Sequence, residues 1–583
     1  MSNPDYEKDL GFDDKPHDGT AAQVISRGGP LERGQIDEDG IREGEDLHRG
    51  LKARQISMIA IGGSIGTGLV IGSGTGLSRG GPVGLLIAYI VMGAMCFGVM
   101  CSLGEMATYL PHKKGFGGYA TRFVDPSMGF ALGWNYLMKY LVVTPNNITA
   151  GASDVSLFAL ESPSSAYLRL LTLSASADSV VQYWTDKVPV AAWITIYIVG
   201  CFIVNCLGIE VFGEVEFWAS SIKIIVLAGL ILLGIIIDLG GAGVDRIGFR
   251  YWRDQPFSHY IFQNDTGVFL GFWSCMVTAL FAYMGCELVG VTFGEAKNPR
   301  KTVPKTIKRT FWRLLIFYVG SIFVVGLIVK ATDPELLAAT KKSTSAAASP
   351  FVLAIQRANI KILPDIINGA ILLFVLSAAN SDLYIGSRTL YALAAEGQAP
   401  RFFMRVNRFH TPYYALLFCT AICCIAYMNV SSGSKKVFGY FTALVTIFGA
   451  LTWMSILWSH IRFMKALKAQ GISRDSLPWK APFQPYFAYT SLVFVGIVTF
   501  FKGFDSFTPK FKHDTFITSY LGIPIYICLY FGHKFWHKTR VVKPEEVDLI
   551  SGRKEFDADE AAWEEEELAR GKLPWWKKLW EGA

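Results

Sequence analysis

Two glycine-interrupted stretches carry the chemistry of this sequence. The first reads Gly62-Gly63-Ser64-Ile65-Gly66-Thr67-Gly68, with Gly72, Gly74 and Gly76 beyond it. The second reads Phe281-Ala282-Tyr283-Met284-Gly285-Cys286-Glu287. Both lie inside long apolar runs. Each glycine costs a helix about 1 kcal/mol relative to alanine, so the backbone can open there. At membrane depth, opening is tolerated only where the freed groups line a cavity or are buried in protein. An opened helix offers amide N–H groups to an anion at the start of its second half, where the dipole is positive. The carbonyls ending its first half suit an ammonium. The two stretches can therefore hold a zwitterion. The amides of Thr67 and Gly68 take a carboxylate, and carbonyls near Ser64 and Phe281 take an ammonium. Ile65, Gly66, Ala282 and Gly285 complete the two openings, and Phe281 and Tyr283 cap the bound molecule. The competing reading is close helix packing, which glycine faces also allow.

Several polar groups sit in the same apolar setting. Glu287 near mid-membrane costs about 2.5–3.5 kcal/mol on insertion scales, which marks it as functional. It either carries a proton or organises the opened stretch. Ser377, Asn380 and Ser381 are small polar groups able to face the first and fifth spans, with Ser377 a candidate substrate contact, while Asp382 and Arg388 can pair with other intramembrane groups. Glu105 and Glu295 fall near a membrane boundary, where contacts to Lys and Arg in gates or loops are expected. No enzyme constellation is present. The glycine-rich stretch lacks the Lys-Ser/Thr ending of a phosphate loop. No His pair has metal-ligand spacing, and the ten cysteines include no CxxC pair. We therefore expect no metal and no cofactor.

The elements that must position these groups are membrane helices. The chain has 583 residues, of which 51% are hydrophobic, 14% aromatic and only 18% charged. Soluble proteins average about 25% charged residues. Apolar blocks long enough to span a bilayer recur at roughly 55–77, 82–108, 127–159, 189–208, 213–238, 266–294, 309–331, 364–394, 412–430, 436–462, 486–502 and 515–537. They do not alternate as barrel strands would. The fold class expected is an all-α polytopic membrane protein of about twelve transmembrane helices, with helices 1 and 6 broken. Interrupted helices at matching positions of an inverted repeat point to the binding site of a secondary transporter. Basic residues cluster after the second, sixth, eighth and tenth spans: Lys113 and Lys114, then Arg300 and Lys301, then Arg401 and Arg405, then Arg462 and Lys465. Both termini are therefore expected in the cytosol. The same placement explains the net charge of +7 without a nucleic-acid partner. Residues 1–50 read as a disordered cytosolic tail, 51–540 as the transmembrane domain and 541–583 as a cytosolic C-terminal tail. The segment Pro574-Trp575-Trp576-Lys577-Lys578 suits an anionic lipid surface or a sorting signal.

At this point the sequence resembles the fungal (yeast-type) amino acid permeases of the amino acid–polyamine–organocation superfamily, over roughly residues 50 to 540. The strings that carry the resemblance are Gly62 to Gly68, Gly104-Glu105-Met106-Ala107-Thr108-Tyr109-Leu110-Pro111, Phe123-Val124-Asp125-Pro126, Gly133-Trp134-Asn135-Tyr136, Asn298-Pro299-Arg300-Lys301 and Gly397-Gln398-Ala399-Pro400. Thr144-Pro145-Asn146-Asn147, Phe212-Gly213-Glu214-Val215-Glu216-Phe217-Trp218 and Gly248-Phe249-Arg250-Tyr251-Trp252 are closer to the dicarboxylic amino acid permease branch. The resemblance implies a LeuT-like fold of two inverted five-helix repeats plus two additional helices. It also implies proton-coupled uptake of amino acids at the plasma membrane.

It further implies roles for single residues. Other members tend to have Glu where this chain has Asn147, so the amide removes repulsion toward an acidic substrate and adds a donor. Lys139, where relatives often carry Gln, either attracts a second substrate carboxylate or pairs with a neighbouring acid or snorkels. Lys223 is similar to the lysine that replaces a sodium ion in proton-coupled relatives. It either carries the coupling proton or braces the first span as a permanent charge. The expected partners are amino acid, protons and the bilayer, with trafficking or ubiquitin-ligase adaptors on the tails. Import of glutamate and aspartate leads. A permease for neutral or broad-range amino acids and a non-transporting sensor of the same fold are the alternatives.

Overall fold

A computed structural model describes residues 58, 67–70, 72–110, 115–153, 190–241, 245–288, 290, 299–342, 349–357, 363–428, 434–508, 510–550, 560–561 and 565. The described residues form helices, turns and loops. In chain order the first helices are α1 Thr67–Val70, α2 Gly72–Tyr109, α3 Gly115–Phe123, α4 Pro126–Ser153, α5 Val190–Cys206 and α6 Ile209–Asp238. Then come α7 Arg250–Asp254, α8 Asp265–Tyr283 and α9 Pro299–Arg313, which runs through a π-helical turn, Leu314–Val319, into α10 Gly320–Ile328. The remainder are α11 Pro334–Lys342, α12 Pro350–Arg357, α13 Leu363–Ala395, α14 Tyr413–Cys423, α15 Ser434–Ala469, α16 Tyr486–Phe501, α17 His513–Tyr520 and α18 Gly522–His537.

Seven of these helical stretches are each long and apolar enough to cross a bilayer, and the pair α17–α18, bent by 41°, makes one more. The shorter apolar helices α5 and α14, and the more polar α4, occupy the remaining expected blocks. The 38-residue α2 supplies two spans, because it turns sharply at Gly81. Gly81 has φ +75°, and a Cβ there would lie 2.7 Å from the Pro256 carbonyl oxygen. Pro82 follows and has no N–H for a continuing helix. The first and second expected spans thus meet with no loop between them. The long spanning helices such as α2, α6 and α8 are apolar on all sides, as burial in lipid and neighbours requires. On α6, Ile225, Leu232 and Trp218 point outward and are exposed.

Glycine spacing decides the contact between the second half of the first span and α8. Gly68, Gly72, Gly76 and Gly80 recur one turn apart. A Cβ at Gly68 would sit 2.7 Å from the Ala282 Cα, and one at Gly72 would sit 3.3 Å from Thr278 Cγ2. A Cβ at Gly80 would overlap the Cys275 sulfur. The Cys275 thiol donates to the Gly76 carbonyl at 3.2 Å, and Arg79 donates to the Ser274 hydroxyl at 3.1 Å. These glycines therefore serve close antiparallel packing, the small-residue mode of membrane helices. For residues 68–80 this corrects the reading of glycine density as a sign of opening. Ser64, Ile65 and Gly66 lie outside the described residues.

The chain beyond α18 does not leave the bundle at residue 540. Val542 N–H donates to the Val124 carbonyl at 2.9 Å. Gln470 donates to the Val547 carbonyl at 2.7 Å, and Arg122 pairs with Asp548 at 2.7 Å. Val547 and Leu549 are buried. The packed domain therefore extends to about residue 549, past the boundary expected from composition. Residues 1–57, Glu295 and the Trp-Lys segment after Pro574 lie outside the described residues.

Candidate functional site

Helix α8 ends at Tyr283, in the middle of the sixth expected span. Met284 is extended and Gly285 has φ +106°, a conformation side-chain-bearing residues rarely adopt. The chain passes through a turn and becomes helical again at Leu288. Shorter-range bonds replace the helical ladder. Met284 N–H donates to the Phe281 carbonyl at 3.1 Å, Cys286 N–H to Tyr283 at 3.3 Å and Leu288 N–H to Gly285 at 3.1 Å. The Glu287 carboxylate accepts the Gly285 N–H at 3.0 Å. The carboxylate thus caps the broken segment from its own side. The Phe281 carbonyl, expected to be free for a substrate ammonium, already accepts one bond.

Glu287 is also the hub of an ion pair. Its Oε1 pairs with the Lys139 ammonium from α4, while its Oε2 accepts the Trp453 indole N–H from α15 at 3.0 Å. Both charged groups are buried, Lys139 at 2% and Glu287 at 1% exposure. The ammonium lies 4.9 Å from the Tyr140 ring centre and 5.4 Å from that of Tyr136. The two hydroxyls are 3.1 Å apart. Taking two charges out of water costs several kcal/mol each, and the pair persists because its remaining sites are satisfied. Lys139 thus sits on a neighbouring acid in this structure.

About two turns further along α4 are two amides. Asn147 donates to Asp382 Oδ2 on α13 at 2.7 Å. The Asn146 side chain is fully buried, and neither its amide nitrogen nor its oxygen has a partner among the described residues. An unsatisfied buried amide costs about 1–3 kcal/mol.

A second polar cluster joins α6 and α13. Glu216 Oε1 accepts the Ser377 hydroxyl at 2.6 Å and the Ser220 hydroxyl at 3.2 Å. Lys223 Nζ lies 4.0 Å from the same oxygen, and all three α6 side chains are fully buried. Ser377, placed from the sequence on a span able to face the first and fifth spans, faces α6, the fifth of them. Asn205 donates to the Asn380 side-chain oxygen at 2.9 Å, tying α5 to the same helix.

Tyr283 also departs from expectation. Its hydroxyl donates to the Tyr89 carbonyl on α2 at 2.9 Å, and its ring stacks on Tyr318 at 4.8 Å between centres. It is fully buried in helix packing and caps no opening in this conformation. Phe281 is half-buried and Ala282 backs directly onto Gly68. Thr67 opens the helical turn of α1.

The structure thus brings Lys139, Glu287 and Gly285 together, sets Asn146 and Asn147 on the same helix as Lys139, and groups Lys223 with Ser377. Three contributors were not singled out from the sequence as site residues: Trp453, Glu216 and Asp382. Glu216 carried a readable signal, an acid two turns from Lys223 in an apolar helix. Trp453 carried none, because tryptophan is ordinary in membrane helices. Near one end of the bundle, Glu105 accepts Arg474 Nε at 2.9 Å, Arg474 Nη2 at 2.8 Å and the Ala481 N–H at 2.9 Å. It is a gate or loop contact of the kind expected, remote from the broken helix in sequence and partners. Among the described residues no group of His, Cys, Asp and Glu could hold a metal.

Comparison with known proteins places this geometry in context. Residues 55–545 match the model of a family described as amino acid permease. The chain is 47% identical, over 90% of its length and 83% of the relative, to the dicarboxylic amino acid permease of Saccharomyces cerevisiae. It is 43% identical to an uncharacterized amino-acid permease of Schizosaccharomyces pombe, covering 89% of this chain and 96% of that one. It is 39% identical to the lysine-specific permease of S. cerevisiae, covering 96% and 86%. Among solved structures, the Eremococcus coleocola manganese transporter superposes with a TM-score of 0.50 at 12% identity, covering 83% of this chain and 93% of that one. This likeness concerns the fold alone, which is the LeuT-like arrangement of a polytopic transporter.

Proposed function

Taking as premise that this chain belongs to the amino acid permease family, and so carries amino acids across a membrane and is not an enzyme, we propose that it is a proton-coupled importer of acidic amino acids. The observation that carries this reading is the buried cation Lys139, beside the break in the sixth span and on the same helix as the amides of Asn146 and Asn147. A substrate carboxylate needs a cation and donors at membrane depth, and no fixed acid occupies position 147 to repel it. The dicarboxylic amino acid permease relative supports the same substrate class. The opened backbone at Met284–Glu287, together with the residues around Ser64 to Thr67, holds the α-amino and α-carboxyl groups. Lys223 and Glu287 are the proton-handling groups. The chain works in the plasma membrane with both tails in the cytosol, where adaptors can reach them. Residues 51 to about 549 form the transporting unit.

A second reading also has an observation behind it. Lys139 is already neutralised by Glu287, which removes the net charge that would select an acidic substrate and favours a neutral or broad-range one, and relatives at 38–39% identity are named for lysine and proline. A competition panel in a host lacking its own permeases separates the two. Uptake of labelled glutamate, blocked by aspartate and not by leucine or lysine, and faster at pH 5 than at pH 7, is the expected result. Leucine competing as well as aspartate would refute the acidic preference. Equal rates at both pH values would refute proton coupling.

A further inference from the structure

The Lys139–Glu287 pair poses a problem for any acidic substrate. Both groups are buried, the ammonium is walled by Tyr136 and Tyr140, and its open side is filled by Glu287. A substrate carboxylate that takes Lys139 as its partner competes with Glu287 for the same ammonium. We propose that Lys139 exchanges carboxylate partners during transport: Glu287 holds it in the empty site, the side-chain carboxylate of the acidic amino acid holds it in the loaded site, and a proton taken up by Glu287 makes the exchange possible. This inference rests on the acidic-substrate reading above and adds the device that ties substrate choice to the proton.

The division of labour between the two Glu287 oxygens supports it. Oε2 accepts both the Gly285 N–H and the Trp453 indole N–H, each at 3.0 Å, while Oε1 faces Lys139. A proton added to Oε1 leaves both Oε2 bonds intact. The carboxyl keeps its place in the break while releasing the ammonium. The Tyr136 and Tyr140 rings continue to hold the cation, as aromatic faces do. Charge balance requires the proton. The Lys139–Glu287 pair holds one carboxylate and one ammonium, and the carboxyl of Asp382 on Asn147 is a bystander that the exchange leaves unchanged. Adding a second carboxylate without a proton would leave a net negative charge in a region where ions are costly. With Glu287 as neutral carboxylic acid, the ammonium pairs with the substrate carboxylate and the balance is restored. No bond other than O–H forms, and the proton comes from the external solution.

The groups facing this pair are few. Helix α4 contributes Lys139, Tyr136 and Tyr140, and α2 contributes Cys96. The broken segment contributes Cys286 beside Glu287 itself, and α13 contributes Asp382, already bonded to Asn147. From α15 the contact is the uncharged Trp453. Glu287 is the carboxylate directly bonded to Lys139, and Asp382 acts on that lysine from further off.

The test is proton uptake on substrate binding by the purified full chain in lightly buffered detergent, read with a pH indicator. The wild type should take up about one proton more per bound L-glutamate than per bound L-glutamine. Lys139→Gln should weaken glutamate binding by about tenfold or more while leaving glutamine binding within about twofold. Glu287→Gln should bind glutamate with an affinity that no longer changes between pH 5 and 8. If that variant does not fold, Trp453→Phe should still shift the pH at which glutamate affinity is half-maximal, because it removes one donor from Oε2. Equal proton uptake with both ligands, or unchanged glutamate preference in Lys139→Gln, overturns the exchange while the acidic-substrate reading stands. Absence of glutamate binding by the wild type overturns both.

Discussion

Arg474→Ala is the perturbation whose size follows most directly from geometry. Glu105, on the second span, is fully buried. It accepts two bonds from the Arg474 guanidinium, at 2.9 and 2.8 Å, and one from the Ala481 N–H at 2.9 Å. His460 Nε2 stands 3.6 Å away. Removing one partner of a buried pair costs about 3–5 kcal/mol, because the other charge is left uncompensated. Arg474 is 29% exposed, and the Ala481 amide remains, so the lower end applies. We expect about 3 kcal/mol, roughly 150-fold in an opening equilibrium. The readout is hydrogen exchange at the Ala481 amide, which reports local opening of this junction. Arg474→Ala should exchange on the order of 100-fold faster than wild type. Glu105→Gln keeps an acceptor for Ala481 and removes the charge, so its effect should be about 1–2 kcal/mol. The double variant should exchange more slowly than Arg474→Ala alone, since it no longer buries a lone carboxylate. Unchanged exchange in Arg474→Ala, or a double variant no better than that single one, would refute the reasoning.

Two further expectations come from packing and charge. Gly68→Ala places a Cβ 2.7 Å from the Ala282 backbone, which cannot move aside as a side chain would. Overpacking of this kind costs about 1–3 kcal/mol, so the variant should melt below wild type and lose uptake; wild-type melting would show that the two helices separate freely. Asp125 lies outside the spans, where burial alone would raise its pKa, but the Lys534 ammonium, the Ser127 N–H and the Thr539 hydroxyl together hold it below the usual carboxylate range. A carboxylate depressed in the folded state stabilises fully above its ordinary pKa of about 3.9 and loses that contribution as pH falls through the folded value. The melting temperature should therefore not respond to Asp125 between pH 5 and 8. Below about pH 4 it should fall in wild type more steeply than in Asp125→Asn, and parallel curves would count against the assignment.

What the sequence determined by itself is the membrane architecture and the family. Apolar block length, absence of alternation and the strings around Gly62 to Gly68, Glu105 and Asn298 are local properties. The bilayer imposes its length requirement on each helix separately, so each span can be read alone. The break at Gly285 was legible for the same reason, because φ +106° is a demand placed on one residue. Partner choice was not legible. Glu287 meets Lys139 across 148 positions and Trp453 across 166, and Ser377 turns to Glu216 across 161. Such pairs depend on which faces of α4, α6, α13 and α15 are turned inward, and no local pattern in helices apolar on all sides records that rotation. The glycines at 68, 72, 76 and 80 show the limit most plainly. Their spacing permits both an opened backbone and a close contact, and only the position of α8 against them selects contact.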